Sequence, residues 1–311
     1  MESQQQMSDL YKINKKISQG AFGTVYEGIN LKTGEIIAIK QLFCNKKVLR
    51  EVHLHEKMNH KNVIKVYQYQ VLDQECSIYM EYCQYDLHQF IQSTLYPLDG
   101  EIIRNIAYQI LCGIEHIHSR QVVHRDLKPS NIMLHDGIIK IGDFGSAEHL
   151  SKLDQNGQYS TEGFSKWYMA PEMLFGKRDY GTEVDIWSFG CIYAELLTGL
   201  PLFTGKGEID QIIHIGNILG SPTEDNWPKV KELPDQGKIN FQHVKPKSFF
   251  EHFDLADDDQ INFLQATLKY QDRLTASELL KHKYFNKINE HFKINVECLP
   301  KEQYNPYYKY I

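Results

Sequence analysis

The sequence predicts an α+β fold built as two lobes, and three observations carry that prediction. Short strand-like runs punctuated by glycine fill the front of the chain, and long helical patterns of apolar residues fill it from Asp86 onward. The change of character falls at Tyr82–Tyr85, where the two lobes would join. In the front lobe, Tyr11–Ile17, Thr24–Asn30 and Glu35–Lys40 read as strands, with Lys32-Thr33-Gly34-Glu35 as a tight turn between the last two. Lys46 to Asn59 reads as a helix with Val48, Val52 and Met58 among its apolar positions, and Ile64–Tyr69 and Ser77–Glu81 as two further strands. In the rear lobe the helical pattern is clearest at Gly100–Ser119, Thr182–Thr198 and Ile209–Leu219, followed by Asp257–Leu268 and Thr275–His282. Residues 1–9 form a polar tail, and Asn286 to Ile311 a second one rich in Tyr and Lys. Neither an internal repeat nor an extended low-complexity segment is visible.

Composition narrows the function. The chain has 311 residues, 34 Lys+Arg against 40 Asp+Glu and a net charge of -6, and 42% of it is apolar. That balance is ordinary for a folded globular chain and offers no basic face to nucleic acid or to a membrane surface. No run approaches the roughly eighteen apolar residues of a membrane span, and the polar, Gln-rich start lacks the apolar stretch of a secretion signal. The six cysteines are scattered without a CxxC pair, which predicts free thiols in a reducing compartment.

The chemistry is carried by an ordered set of short motifs. The first is a glycine loop, Ile17-Ser18-Gln19-Gly20-Ala21-Phe22-Gly23-Thr24-Val25, which alone would be no more than a hairpin turn. Two strands on stands Ile37-Ala38-Ile39-Lys40, and a lysine closing an apolar strand is costly to bury without an anionic partner. Then come His124-Arg125-Asp126-Leu127-Lys128-Pro129-Ser130-Asn131, Asp143-Phe144-Gly145 and Ala170-Pro171-Glu172. One match could be chance, but the full set in order could not. From about Leu10 to Phe285 the sequence resembles a eukaryotic protein kinase.

The resemblance implies the two-lobed protein kinase fold: a small antiparallel β-rich N-lobe (10–82) with one helix, and a larger helical C-lobe (83–285). It also implies ATP and Mg²⁺ as cofactors and protein substrates as partners. Position by position, Gly20 and Gly23 let the backbone approach the phosphates, Lys40 pairs with the α- and β-phosphates, and Glu51 holds Lys40. Asp143 binds Mg²⁺ and Asn131 the second ion, Asp126 orients the hydroxyl and accepts its proton, and Lys128 steadies the γ-phosphate. Met80 is the gatekeeper, backbone groups of Glu81 and Cys83 meet the adenine, Val25, Ala38 and Met133 cover its faces, and Ile17 and Asp86 complete the nucleotide site. Lys128-Pro129-Ser130-Asn131 is similar to the Ser/Thr version of the catalytic loop.

Within the kinases the sequence is most similar to the cyclin-dependent group, through Leu49-Arg50-Glu51-Val52, Trp167-Tyr168, Gly181-Thr182-Glu183-Val184-Asp185-Ile186-Trp187-Ser188 and Glu232-Leu233-Pro234-Asp235. Its wording resembles the cell-cycle-related branch connected with ciliary assembly, which implies a cytoplasmic protein with the nucleus or cilium as further addresses. Several positions depart from the group. Ser18 replaces the first loop glycine, and the stretch from Lys40 to Glu51 is short, which argues against a cyclin while leaving room for another activating protein. Ala21 and Phe22 lack the hydroxyls of the group's inhibitory sites, so activation is expected from phosphate on Ser160 or Thr161, received by Arg50 and Arg125 and weakened by Glu148. Met169 replaces an arginine, and Gly163 and Phe164 replace a small apolar pair, so an apolar residue rather than proline is expected after the acceptor.

Other features have plainer alternatives. His53, His55 and His60 could hold a metal, but the first two are two apart on a helix and face different ways. Cys83 could be a reactive thiol or simply packed, and Tyr304, Tyr307, Tyr308 and Tyr310 could dock a partner or fold back on the C-lobe. The rival to an enzyme is a kinase-fold scaffold or pseudokinase, against which the presence of Lys40, Glu51, Asp126, Asn131 and Asp143 argues.

Overall fold

A computed structural model describes residues 10–20, 23–94, 96–151, 158–159, 164–238, 243–289 and 291–294. In the front lobe β1 (Tyr11–Gly20), β2 (Gly23–Asn30), β3 (Ile36–Phe43), β4 (Val66–Leu72) and β5 (Glu75–Glu81) form one antiparallel sheet in the order β1-β2-β3-β5-β4. Period-two alternation sorts its faces. Ile37 and Ile39 pack with Tyr79 on one side, while Leu42 joins Cys76 and Ile78 on the other. Ala38 and Lys40 share the parity of Leu42, and that face meets helix α1 (Lys46–His55) through Val48 and Val52.

Helix α1 begins where Asn45 accepts from the amides of Lys47 and Val48 at 2.9 and 3.0 Å, a side-chain N-cap. It stops at His55, four residues short of the sequence expectation. The reason is the turn that follows, in which Met58 donates its amide to the His55 carbonyl and is carried into the core. The strand expected at Ile64–Tyr69 is likewise shifted to Val66–Leu72. Ile64 is engaged elsewhere, donating to the Ile141 carbonyl at 2.9 Å and tying the front lobe to the rear.

The C-lobe opens with β6 (Tyr85–Asp86) and α2 (Leu87–Ser93), then α3 (Gly100–Ser119) and β7 (Val122–Val123). Next come β8 (Ile132–His135), β9 (Ile138–Ile141), β10 (Glu148–His149) and the short helix α4 (Pro171–Leu174). The larger helices α5 (Glu183–Thr198) and α6 (Glu208–Leu219) precede α7 (Phe249–His252), α8 (Asp258–Thr267) and α9 (Ala276–Leu279). Helix α5 is buried from Val184 to Leu197, so it is enclosed on all sides and forms the axis of the lobe. Trp187 stacks on Phe203 at 5.7 Å, and Tyr193 meets Phe263 edge-on at 5.0 Å. The helix expected over Thr275–His282 covers only Ala276–Leu279. Leu280 caps it, and the chain passes through a turn to a tight 3₁₀ segment that buries Tyr284 and Phe285.

Beyond Phe285 the chain continues along this lobe. Ile294 is buried and donates its amide to the carbonyl of Gly137 at 3.0 Å, in the turn between β8 and β9. The four tail tyrosines lie outside the described residues. No helix among the described residues is long and apolar enough to cross a membrane.

Candidate active site

A cavity of about 420 Å³ lies between the lobes. Ile17, Val25, Ala38, Met80, Glu81, Cys83, Asp86 and Met133 line it, together with Lys40, Glu51, Asn131 and Asp143. The apolar side chains come from β1, β2 and β3 above and from β8 below, so a flat ring would be sandwiched between them. At its back edge, among the described residues, no backbone hydrogen bond engages Cys83, which leaves its amide and carbonyl to a ligand. Burial pushes the Cys83 thiol up to about 12, which disfavours the thiolate that a reactive cysteine would need. Asp86 is the N-cap of α2, accepting the Gln89 amide at 2.8 Å.

The two loop glycines differ. Gly23 has φ +153°, and a Cβ there would lie 2.1 Å from the Gln41 carbonyl, so the hairpin itself demands glycine. A Cβ at Gly20 would meet nothing within 4 Å. That open space is where a phosphate group could approach the backbone.

Lys40 joins the lobes electrostatically. Its Nζ donates to Glu51 Oε1 at 2.7 Å and to Asp143 Oδ1 at 2.9 Å. Burial works against its charge, but the Asp143 and Glu51 carboxylates outweigh burial and hold the lysine above its ordinary range. Burial would raise Asp143, yet Lys40, with His124 and Lys128, lowers it to about 2. Asp143 sits at φ +56°, a left-handed conformation that aims its carboxylate into the cleft and is kept by its surroundings.

Asp126 lies at the mouth. Its Oδ2 accepts from Lys128 Nζ at 2.9 Å and from Asn131 Nδ2 at 3.2 Å, and its Oδ1 accepts the Ser165 amide at 2.9 Å. Asn131 Nδ2 also donates to the Asp126 carbonyl at 2.8 Å, which leaves the amide oxygen for a cation. Asn131 and Asp143 therefore offer oxygen donors of the kind a hard divalent ion takes, and the residues present fit Mg²⁺ with a nucleotide.

Two residues in this frame were not foreseen. Ser165 ties the segment before Trp167 to Asp126 through its amide and to Lys128 through its hydroxyl, at 2.8 Å. Asp185, fully buried in α5, accepts the amides of His124 and Arg125 at 2.8 Å and the ring N–H of His118 at 2.8 Å. Burial would raise its pKa, but His118, His124 and these hydrogen bonds hold it below the usual range. Asp185 thereby fixes Arg125 at φ +70° and Asp126 next to it. Asp185 stands in the motif Gly181 to Ser188, but nothing there marks its partners, and no motif marks Ser165, because both act on residues distant in sequence.

Arg50 and Arg125 both face Glu148: Arg50 Nη1 donates to Glu148 Oε2, and Arg125 Nη2 lies 3.8 Å from the same oxygen. Ser160 and Thr161, the expected phosphate acceptors, lie outside the described residues, as do Ala21 and Phe22 of the glycine loop. The three front-lobe histidines have separate partners. His53 lies against the Leu49 carbonyl, His60 stacks on His116, and His55 is buried, donating Nε2–H to the Ile64 carbonyl at 2.7 Å.

His55 also stacks on Phe144 at 4.4 Å, and Phe144 meets His124 at 5.2 Å, so a histidine completes the column of side chains behind the cleft. Burial, with Lys40 and His124 nearby, lowers its pKa to about 4. The unfolded chain, with His near 6.5, binds the proton first, so stability is lost as pH falls from about 6.5 to about 4. His55→Leu should remove about 2 kcal/mol of the loss between pH 7 and pH 5. Urea unfolding at both values checks this, and equal losses in the two proteins would refute it. His60, lowered to about 4 mainly by burial, is common to both proteins and cancels.

A model of the protein kinase domain family matches residues 11–285. The chain is 38% identical over 285 residues to "Cyclin-dependent kinase 11B" of Mus musculus, covering 87% of this chain and 36% of that protein. It is 39% identical to the Homo sapiens protein of the same name, again over 87% of this chain and 35% of the relative. For the Rattus norvegicus protein the figures are 38%, 87% and 64%. The chain thus spans about a third of the mouse and human relatives' length and less than two thirds of the rat one's. With the antiparallel front sheet, the helical rear lobe and the Lys40–Glu51–Asp143 cluster between them, this match over most of its length makes the chain a member of the protein kinase domain family.

Proposed function

We propose that the chain is a cyclin-dependent kinase-like Ser/Thr protein kinase, transferring the γ-phosphate of ATP to hydroxyls of protein substrates. The observation that carries this is Asp126, whose carboxylate is held by Lys128, Asn131 and Ser165 at the mouth of the cleft that contains Lys40 and Asp143. Lys40 meets the phosphates from above, and Lys128 meets the transferred group from below. Asp126 orients the acceptor hydroxyl and takes its proton as oxygen attacks phosphorus. Asp143 and Asn131 would hold Mg²⁺, which would neutralise the phosphate charge there. The test is a thermal-shift titration with and without MgATP, followed by transfer of label from γ-labelled ATP to a peptide library. Stabilisation by MgATP with label on Ser and Thr supports the reading. Absence of both favours a kinase-fold scaffold.

The same library reads the residue after the acceptor. Beside the cleft a groove of about 710 Å³ is lined by Lys128, Ser130, Phe164, Ser165 and Trp167, among others. Phe164 lies 5.4 Å from the Arg125 guanidinium, and Met169 has no charged donor to hold an unusual backbone shape nearby. We expect apolar residues to exceed proline at this position, and a dominant proline would refute it. The setting we propose is ciliary or cell-cycle regulation in the cytoplasm, nucleus or cilium, with an activating protein other than a cyclin. Imaging of the tagged chain and native pull-down test it.

A further inference from the structure

Three charged side chains from three elements meet below α1. Arg50 of α1 and Arg125 of the catalytic loop share one carboxylate oxygen of Glu148, in β10. The cluster is enclosed, with side-chain exposures of 24%, 1% and 7% for Arg50, Arg125 and Glu148. A carboxylate this buried persists only with cationic partners, and each guanidinium gains by the same contact. We propose that Glu148 is a positioning residue that does what an added phosphate group would do, clamping α1 to the catalytic loop so that the cleft is assembled without phosphorylation.

The geometry transmits the clamp in two directions. Arg50 immediately precedes Glu51, so fixing Arg50 sets the rotation of α1 that presents Glu51 to Lys40 at 2.7 Å. Arg125 immediately precedes Asp126, and it also donates to the Ser146 carbonyl at 2.6 Å and meets the Tyr180 hydroxyl and the rings of Tyr159 and Phe164. Glu148 itself cannot wander, because β10 pairs with β7 and sets Glu148 opposite Val123, two residues before Arg125. This short pairing thus places the carboxylate against the base of the catalytic loop, and the carboxylate reaches up to α1 of the front lobe. A phosphate arriving at Arg50 and Arg125 would have to displace Glu148 or accept its repulsion.

The test rests on the chain being a kinase, so it combines activity with a readout that does not need catalysis. The full chain is treated with a broad protein phosphatase, dephosphorylation is verified by intact mass, and peptide phosphorylation is compared before and after. Wild-type kcat should stay within about twofold, and a loss beyond about tenfold on dephosphorylation would overturn the proposal. Glu148→Gln should lower kcat roughly tenfold, with KM for peptide changed less. Glu148→Asp, which keeps a carboxylate facing both guanidiniums, should retain more of the activity than Glu148→Gln. In parallel, hydrogen exchange of the α1 amides should quicken in Glu148→Gln while the α5 amides stay protected. Unchanged α1 exchange would overturn the clamp even in a protein that transfers no phosphate, and a wild type inert towards peptides but with the expected exchange pattern would overturn only the kinase reading.

Discussion

Asp126→Asn is expected to lower kcat by about 10²–10⁴-fold, the range for removing a positioned general base. The amide oxygen can still accept the Ser165 amide, while the NH₂ takes the place of the oxygen that faced Lys128 and Asn131, so the backbone at the mouth of the cleft is kept although the lysine contact is lost. Stabilisation by MgATP should persist as well, because Asp126 does not touch Lys40, whose partners are Glu51 and Asp143. Asp143→Asn should be equally inactive, but with the MgATP stabilisation reduced. It removes a carboxylate held at about 2, and therefore ionised at every working pH, from beside Lys40. The two variants together separate acceptor chemistry from nucleotide binding. Undiminished phosphorylation by either, with contaminating kinase excluded by an inactive double variant, would defeat the assignment.

The largest expected loss of stability lies away from the cleft. Arg273 grips Glu172 through two parallel hydrogen bonds, Nη1 to Oε1 at 2.6 Å and Nη2 to Oε2 at 2.8 Å, with side-chain exposures of 1% and 7%. The guanidinium also lies 5.0 Å from the Trp187 ring. Arg273→Ala strands a buried carboxylate and should cost about 3–5 kcal/mol. A melting point lower by about 10 °C in differential scanning fluorimetry is expected, given about 2–4 °C per kcal/mol for large domains. Replacing both partners, Glu172→Gln with Arg273→Met, should cost less than Arg273→Ala alone, because no charge is left unpaired. If the double variant is the less stable of the two, the pair is not what holds this corner together.

Much of this architecture is legible because local rules and tertiary packing agree. Alternation at Ile37-Ala38-Ile39-Lys40 assigns its faces, and the apolar run in α5 announces a buried axis. Lys40 and Asp143 advertise themselves as charges set among apolar residues. What stays hidden is who meets whom across long intervals. Glu172 is readable as the end of a motif, but Arg273 lies 101 residues away and carries no mark of its partner. Glu148 reads as a repulsive intruder beside Arg50 and Arg125, whereas its side chain faces both and places a carboxylate between them. Element ends mislead where a neighbouring lobe competes, as when Ile64 leaves its strand to bond Ile141.

The seat of Ile294 bears on where this protein can be cut. The family match ends at residue 285, and an expression boundary drawn there would strip a buried side chain off the β8–β9 turn. Burial of an isoleucine is worth about 1.5–3 kcal/mol, enough to turn a well-behaved fragment into an aggregating one. Gly137, at φ +78°, has the Ile294 carbonyl 2.7 Å from where a Cβ would stand, so even alanine at the turn would pry the segment away. Two residues earlier, His135 donates to the Tyr82 carbonyl at 2.7 Å, on the strip of chain that connects the lobes. A truncation or fusion point is therefore better placed beyond residue 294, since one set closer would be felt at the hinge itself.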